Sequence, residues 1–153
     1  MLKISTKGRY ATRAMLELAL RGHDVPVQLD DISKAQRISK KYLSGLMTAM
    51  VSAGLVRSRR GKNGGFTMAK PSSEISLLDI LRPLEGPVAP APCLENTKSC
   101  DQSDDCITRE VWMKMKNTMT SALGGITLED LENRYREKQN PEHGPNDFNN
   151  VKL

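Results

Sequence analysis

The chain has few of the residues and segments on which most enzymes and membrane proteins depend. Its two histidines, His23 and His143, lie far apart, so neither a Ser–His–Asp nor a Cys–His catalytic arrangement is credible. A phosphate-binding loop of the GxxxxGK(S/T) type is absent from the sequence. No apolar run approaches the roughly 18 residues of a membrane span, and the polar first residues are unlike a signal peptide. We therefore expect a cytoplasmic protein with reduced thiols that is not an enzyme and has no membrane partner.

Aromatic residues are also scarce. They make up 4% of the 153 residues, and all apolar residues together make up 38%. This is enough for the small core of one ordinary domain. A core of this size is often completed by a partner subunit, so the composition is compatible with an appended dimerisation element.

The charge is unevenly distributed along the chain. Residues 1–70 carry 14 lysines and arginines against 4 acidic residues, whereas residues 71–153 carry 9 against 14. The basic half indicates a surface for a polyanion, although a solvated cationic face is an equally good interpretation of the charge alone.

A glycine-rich motif favours the polyanion. Residues 57–66 read RSRRGKNGGF and place four cations around a Gly-X-X-Gly-Gly turn. Glycine permits the positive φ angles of a tight hairpin. A short cationic hairpin can lie against phosphates or enter a minor groove, so the motif predicts DNA binding.

Hydrophobic periodicity predicts three helices before this hairpin. An i, i+4 apolar stripe predicts the first over residues 6–21. A short second helix begins at Gln28 and ends at a turn formed by Arg37 and Ile38. Ser39 is the predicted N-cap of a third helix over residues 40–53. Two helices joined by a short turn and followed by a cationic hairpin form a winged helix-turn-helix.

The third helix has two predicted faces. Its core face consists of Tyr42, Leu43, Leu46, Met47 and Met50, and its opposite face of Lys40, Lys41, Ser44 and Thr48. Small polar and cationic residues at a helix N-terminus suit a major groove. The predicted DNA-binding residues are Lys7 and Arg9 on the first helix, Ser39, Lys40, Lys41, Tyr42 and Ser44 on the third, and Arg59, Arg60, Lys62, Asn63 and Gly64 in the hairpin.

The C-terminal half predicts three more helices. Ser76 and Asp79 form a capping box for a short helix that should stop near Arg82, because a proline follows. A helix over residues 107–123 carries a long apolar stripe with few elements to cover it. The stripe consists of Ile107, Val111, Met115, Met119 and Ala122/Leu123, and Trp112 flanks it. The stripe favours a symmetric partner helix over packing within the chain. A capping box at Thr127 opens a last helix to about residue 137.

All three cysteines lie in one loop, at Cys93, Cys100 and Cys106. An odd number in a reducing compartment argues against a disulfide framework. Three clustered thiolates can hold iron–sulfur irons or zinc, although the spacing matches neither zinc knuckles nor ferredoxins, and free thiols stay an alternative. A fourth ligand would have to come from elsewhere, whereas His23 and His143 are both expected to be solvated. The acidic neighbours Glu95, Asp101, Asp104 and Asp105 are sequence-near candidates, and the aspartates are expected to raise the thiol pKa values and disfavour a thiol switch.

The sequence resembles the Rrf-two family of bacterial winged-helix regulators, which includes IscR-like and NsrR-like proteins. The resemblance runs in collinear order from residue 2 to about residue 131. It is carried by STKGRYA from Ser5, ISKKYL from Ile38, GLVRSRRGKNGGF from Gly54, LEGP from Leu84, the three cysteines, and CITREVW from Cys106.

The resemblance implies a homodimeric transcription factor, usually a repressor, that binds a double-stranded DNA operator. It implies that Cys93, Cys100 and Cys106 are metal ligands that hold an iron–sulfur cluster, of the 2Fe-2S rather than the 4Fe-4S type, which can be absent from purified protein. Cluster loss would then change operator affinity. The alternative is a cluster-free winged-helix regulator that senses thiol oxidation or a small ligand through the same loop.

Three positions depart from the family pattern. IscR-like members place a histidine three residues after the last cysteine, where this chain has Arg109. NsrR-like members use an acidic residue of the partner's first helix, and the matching site here is near Arg9. Ser44 replaces a common glutamate that can couple the cluster to base discrimination.

The predicted fold is mainly α with a small β-hairpin wing, that is, a winged helix-turn-helix with a long dimerisation helix. The predicted division is a DNA-binding domain over residues 1–83, a cysteine-containing sensor loop over 84–106, a dimerisation helix and C-terminal helix over 107–138, and a disordered tail over 139–153.

Overall fold

The computed structural model describes residues 3–140, which form six α-helices and one two-stranded antiparallel sheet. The helices are α1 (Thr6–Arg21), α2 (Leu29–Gln36), α3 (Lys40–Ser52), α4 (Leu77–Glu85), α5 (Ile107–Gly125) and α6 (Leu128–Gln139), and the strands are β1 (Val56–Arg59) and β2 (Gly65–Met68). The order confirms the winged helix-turn-helix followed by a long helix. No helix within residues 3–140 is long and apolar enough to cross a membrane.

The first helix is central to the core because one of its faces consists of small side chains. Ala11 and Ala14 are fully buried, with Met15 and Leu18 beside them. Alanine lets neighbouring helices approach closely, and α2, α3, α4 and α6 all pack on α1. Leu128 of α6 is fully buried in the same core, so this core includes a residue that the sequence division groups with the dimerisation helix.

The turn between α2 and α3 contains one residue with left-handed backbone angles, and side-chain hydrogen bonds stabilise it. Arg37 has φ 53° and ψ 46°, which ends α2. The Ser33 hydroxyl donates to the Ile38 carbonyl at 2.6 Å. Arg13 of α1 donates to the Gln36 carbonyl at 2.6 Å. The bond to Gln36 satisfies a carbonyl at the end of α2. The bond to Ile38 joins α2 to the turn that precedes α3.

The wing is tied to the chain segment that precedes α2. Val27 and Phe66 exchange two backbone hydrogen bonds of 2.9 and 2.8 Å, which adds an isolated bridge to the sheet. Gly65 next to it has φ 153°, and a Cβ atom there would lie 2.5 Å from the Val27 carbonyl oxygen. Only glycine allows the two backbones to meet in this way.

The fourth helix contradicts the sequence prediction that it stops near Arg82. It continues through Pro83 to Glu85 and ends at Gly86, which has φ 78°. Proline removes one donor from the helix but does not prevent the turn that follows when tertiary contacts hold it. Here Leu81 is buried and Leu84 packs against the core, and Glu85 bonds to α1.

The Glu85 carboxylate caps the N-terminus of α1. Its Oε1 accepts from the Ser5 backbone N–H at 3.2 Å, the Ser5 hydroxyl at 2.5 Å and the Gly8 N–H at 3.2 Å. The start of a helix has unpaired N–H groups and favours negative charge. A Cβ atom at Gly8 would lie 2.6 Å from the same Oε1, so glycine leaves the room that Glu85 needs.

The chain after α4 begins with a loop that contains two single-turn 3-10 helices, Pro92–Leu94 and Thr97–Ser99. Both predicted capping boxes are present, at Ser76 with Asp79 and at Thr127 with Asp130. Gln139 is the last residue of α6 and thus does not belong to the predicted tail. Asn140 is the C-cap of that helix, and residues 141–153 of the predicted tail, with His143, lie outside the described residues.

Replacing Glu85 by alanine should lower the free energy of unfolding by about 1 kcal/mol, because the N-terminus of α1 loses its charged cap. Denaturant unfolding measures the change. Glu85→Gln, which keeps a neutral acceptor, should fall between wild type and Glu85→Ala. Glu74→Ala removes an exposed carboxylate elsewhere and serves as the control. Equal stability of Glu85→Ala and Glu74→Ala would contradict the assigned cap.

Candidate nucleic-acid interface and cysteine loop

The third helix presents a polar face to solvent. Its buried residues are Leu43, Leu46, Met47 and Met50. Ser39 caps the helix by accepting from the Tyr42 N–H, and Lys40, Lys41 and Ser44 are exposed. The predicted core position of Tyr42 is wrong, since this side chain is 38% exposed. Tyr42 lies in the first turn of α3, beyond the core. Its ring packs edge to face on Tyr10, with 5.9 Å between the ring centroids.

Two cations of different helices share a cleft with Tyr42. Lys7 of α1 and Lys41 of α3 line it together with Ser39. Gly45, Leu46 and Leu84 complete the lining, so the cleft is partly apolar. Two lysines at the edge of one cleft suit contact with a phosphate group. The predicted partner Arg9 does not line this cleft, and its guanidinium donates to the Thr6 hydroxyl at 3.2 Å.

The tip of the wing is fully available to a ligand. Arg59, Arg60, Lys62 and Asn63 are exposed, and Gly64 is half-buried. The Gly64 N–H donates to the Gly61 carbonyl at 2.9 Å and closes the turn. The short turn therefore presents three cations at one end of a hairpin whose base is fixed by Val27.

One acidic residue joins the two helices of the helix-turn-helix, and the sequence analysis missed it. Asp30 of α2 pairs with Lys34 at 2.8 Å and with Lys40 of α3 at 2.5 Å. The hydrogen bonds from Lys34 and then Lys40 lower the pKa of Asp30. The i, i+4 spacing of Asp30 and Lys34 is visible in the sequence, but the pair with Lys40 depends on the turn geometry.

The cysteine loop is folded by its own hydrogen bonds. The buried Ser103 donates from its hydroxyl to the Thr97 carbonyl at 2.8 Å. Lys116 of α5 donates to the Leu94 carbonyl at 3.5 Å. All three cysteines are free thiols, with Cys100 exposed and the other two half-buried.

The loop does not gather its thiols into a preformed metal site. Within residues 3–140, no three histidine, cysteine, aspartate or glutamate side chains lie together in an arrangement that could hold a metal ion. His23 is exposed beside Asp24, with 3.0 Å between Nδ1 and Oδ1, as expected for a solvated histidine.

The last cysteine has a distinct environment at the start of α5. Cys106 is the N-cap residue, and its sulfur lies 3.1 Å from the Thr108 hydroxyl. The hydrogen bonds of that hydroxyl and of the Arg109 backbone N–H lower the pKa of Cys106. This contradicts the expectation that the aspartates raise it, because donors in direct contact outweigh nearby charges that are solvated.

Arg109 lies in the same groove as Cys106, together with Asp104 and Asp105. Its Nε is buried and has no hydrogen-bond partner among the described residues. Leaving a buried donor without an acceptor lowers the stability of the folded state. An acceptor from a bound group would therefore be favourable at this position.

The long helix α5 has an apolar face that its own chain leaves open. None of residues 107–125 is fully buried. Ile107 is 78% exposed and Val111 is 53% exposed, and Trp112 and Met115 continue the exposed surface. Met119 and Leu123, further along the predicted stripe, instead line a cavity against α4. The open part of the stripe is thus its N-terminal half.

Comparison with known proteins agrees with this arrangement. Residues 4–134 match the profile of the Rrf2 family, described as iron-dependent transcriptional regulators. The HTH-type transcriptional regulator IscR of Photorhabdus laumondii is 36% identical over 132 residues, which cover 86% of this chain and 80% of that protein. The structure of CymR, the global cysteine regulator of B. subtilis, has a TM-score of 0.73 at 38% identity and covers 87% of this chain and 98% of its own. The structure of T. potens IscR has a TM-score of 0.72 at 33% identity, over 96% of this chain and 95% of its own. The chain is therefore a member of the Rrf2 family of DNA-binding transcriptional regulators.

Proposed function

We propose that this regulator is a homodimeric repressor that reads its operator with α3 and the wing and adjusts its affinity through the cysteine loop. The observation that carries the DNA-binding part is the exposed polar face of α3, beside the cleft of Lys7 and Lys41 and a wing fixed at its base. Exposed cations of α1, α3 and the wing support α3 as the helix that contacts DNA.

The proposed contacts fall into two kinds. Lys40, Lys41, Tyr42 and Ser44 approach the major groove, where base edges carry sequence information. Arg59, Arg60, Lys62 and Asn63 bring the wing into or across the minor groove, with Gly64 allowing the tight turn. Lys7, Arg9 and Ser39 hold backbone phosphates.

Replacing Lys7 by alanine should weaken binding to operator and random duplexes to a similar degree, because phosphate contacts carry no sequence information. The slope of log affinity against log salt should fall by about one unit. Fluorescence anisotropy at several salt concentrations measures both quantities. Lys138→Ala on α6 removes the same charge and should leave the slope unchanged. An unchanged slope in Lys7→Ala would contradict the phosphate cleft.

The homodimer is proposed from the open face of α5. Ile107, Val111 and Met115 recur on one side of the helix and are exposed, which a second copy of α5 would cover. Two DNA-binding units held in this way would contact half-sites about one helical turn apart.

Val111→Glu should convert the dimer to a monomer, because the dimer would bury an unpaired charge. Sedimentation velocity measures the state. Asn133→Glu on α6 adds the same charge at an exposed position away from α5 and should leave the dimer intact. A dimer that persists in Val111→Glu would show that this face is not the interface.

The three thiols of the cysteine loop are proposed to hold the group through which the regulator senses its signal. An iron–sulfur cluster at Cys93, Cys100 and Cys106 would provide a redox-active centre whose loss leaves three free thiols. Cysteine thiolates are the ligands that iron–sulfur clusters use. Arg109, whose Nε has no hydrogen-bond partner among the described residues, lines the same groove as Cys106 and suits a negatively charged group. The thiols are not gathered in the described residues, so binding requires the loop to move.

A movement of the loop can reach the DNA-binding surface through Glu85. This residue is the last of α4 and directly precedes the loop, and its carboxylate holds the N–H groups at the start of α1. Lys7 and Arg9 lie in that first part of α1. A shift of residue 86 and those beyond it would therefore disturb the cleft that we assign to a phosphate.

Anaerobically purified protein should show visible absorption with matched iron and sulfide, and replacing all three cysteines by alanine should remove it. Operator affinity of the loaded and unloaded protein should differ, and the alanine variant should bind like the unloaded form. If the variant keeps its visible absorption, the three thiols are not the ligands.

A cluster-free regulator that responds to thiol oxidation or a small ligand is the second candidate. The free, exposed Cys100 and the donors around Cys106 favour the thiol form of this candidate, and CymR is a similar protein described as a cysteine regulator. Colourless protein whose operator affinity changes reversibly with oxidant and thiol reductant would support it over the cluster.

A further inference from the structure

The first lysine of α3 already pairs with a carboxylate within the protein. Lys40 Nζ lies 2.5 Å from Asp30 Oδ1, and Lys34 holds the other carboxylate oxygen of Asp30 at 2.8 Å. The Asp30 side chain is 33% exposed and that of Lys40 is 63% exposed. The carboxylate is thus fixed between two cations at the point where α2 faces the start of α3.

A paired lysine contributes less to non-specific DNA binding than a free one. Non-specific affinity arises almost entirely from cations that neutralise phosphates. Lys40 can reach a phosphate only by leaving Asp30, or by bringing a carboxylate close to another anion. In the operator complex, the base contacts of α3 offset the free energy needed to separate Lys40 from Asp30. A non-specific complex on random DNA has no such base contacts.

We propose that Asp30 is a specificity-determining residue, which restrains Lys40 and so suppresses binding to DNA that lacks the operator. The inference rests on the DNA-binding function of α3, and it assigns to Asp30 an effect that is separate from helix stability. Asp30 acts through Lys40 and needs no contact of its own with DNA.

The test compares Asp30→Asn with wild type on a random-sequence duplex and on a duplex selected by the wild-type protein from a randomised pool. Affinity for the random duplex should rise about two- to fivefold, which is the range for an exposed ion pair. Affinity for the selected duplex should rise less, so the ratio between the two should fall. The salt slope on random DNA should increase by about one unit, because one more cation meets a phosphate.

Asp31→Asn is the matched control. Asp31 lies in the same first turn of α2 and is exposed, so its replacement changes the net charge and the helix terminus equally without releasing Lys40. A second control is Lys40→Met, in whose background Asp30→Asn should have no further effect on the slope. Thermal unfolding of each variant confirms that the fold is kept.

Three results would overturn the inference. Equal effects of Asp30→Asn and Asp31→Asn would mean that net charge alone is responsible. A weaker operator complex with an unchanged salt slope would mean that Asp30 only supports the turn. An effect that persists in Lys40→Met would separate Asp30 from Lys40. If the wild-type protein selects no duplex from the randomised pool and does not bind random DNA, the DNA-binding function itself fails, which is a different outcome from these three.

Discussion

The whole DNA-binding unit depends on how closely other elements can approach one face of α1. Gly8, Ala11 and Ala14 are small and buried, and α2, α3, α4 and α6 all contact this helix. A larger side chain there would push α3 and α4 away from α1. The first of these helices carries the proposed DNA contacts, and the second leads into the cysteine loop. Close packing tolerates such changes poorly, because a core transmits the displacement to its neighbours.

Glu85 links this packing to electrostatics. Its carboxylate is placed on the N-terminus of α1 only because α4 continues past Pro83 and because Gly8 has no side chain. A small change at the beginning of the loop thus acts on a helix terminus that also positions Lys7. The last residue before the loop and the first residues of α1 are therefore joined by direct hydrogen bonds.

Much of the fold could be predicted because its signals are local. The capping boxes at Ser76 and Thr127 and the apolar stripe of α1 depend on residues three or four apart. The errors occur where contacts between distant segments decide the outcome. Tyr42 has the spacing of a core residue but lies beyond the core, and Pro83 is tolerated because of contacts with α1. The pair of Asp30 with Lys40 likewise depends on the turn between α2 and α3. The lowered pKa of Cys106 has a local cause in Thr108 and Arg109, but the hydrogen-bond geometry that produces it is not specified by any pattern in the sequence.

The bridge between Val27 and Phe66 has a consequence for the DNA rather than for the protein. It joins the wing to the segment that leads into α2, so two backbone hydrogen bonds restrain the distance between the wing and the helix-turn-helix. A duplex whose grooves do not match that distance has to bend or change its groove width. Sequences that deform at low cost will then be preferred even at base pairs that no side chain touches. With the proposed DNA contacts of α3 and the wing, part of the operator preference is a mechanical property of the duplex.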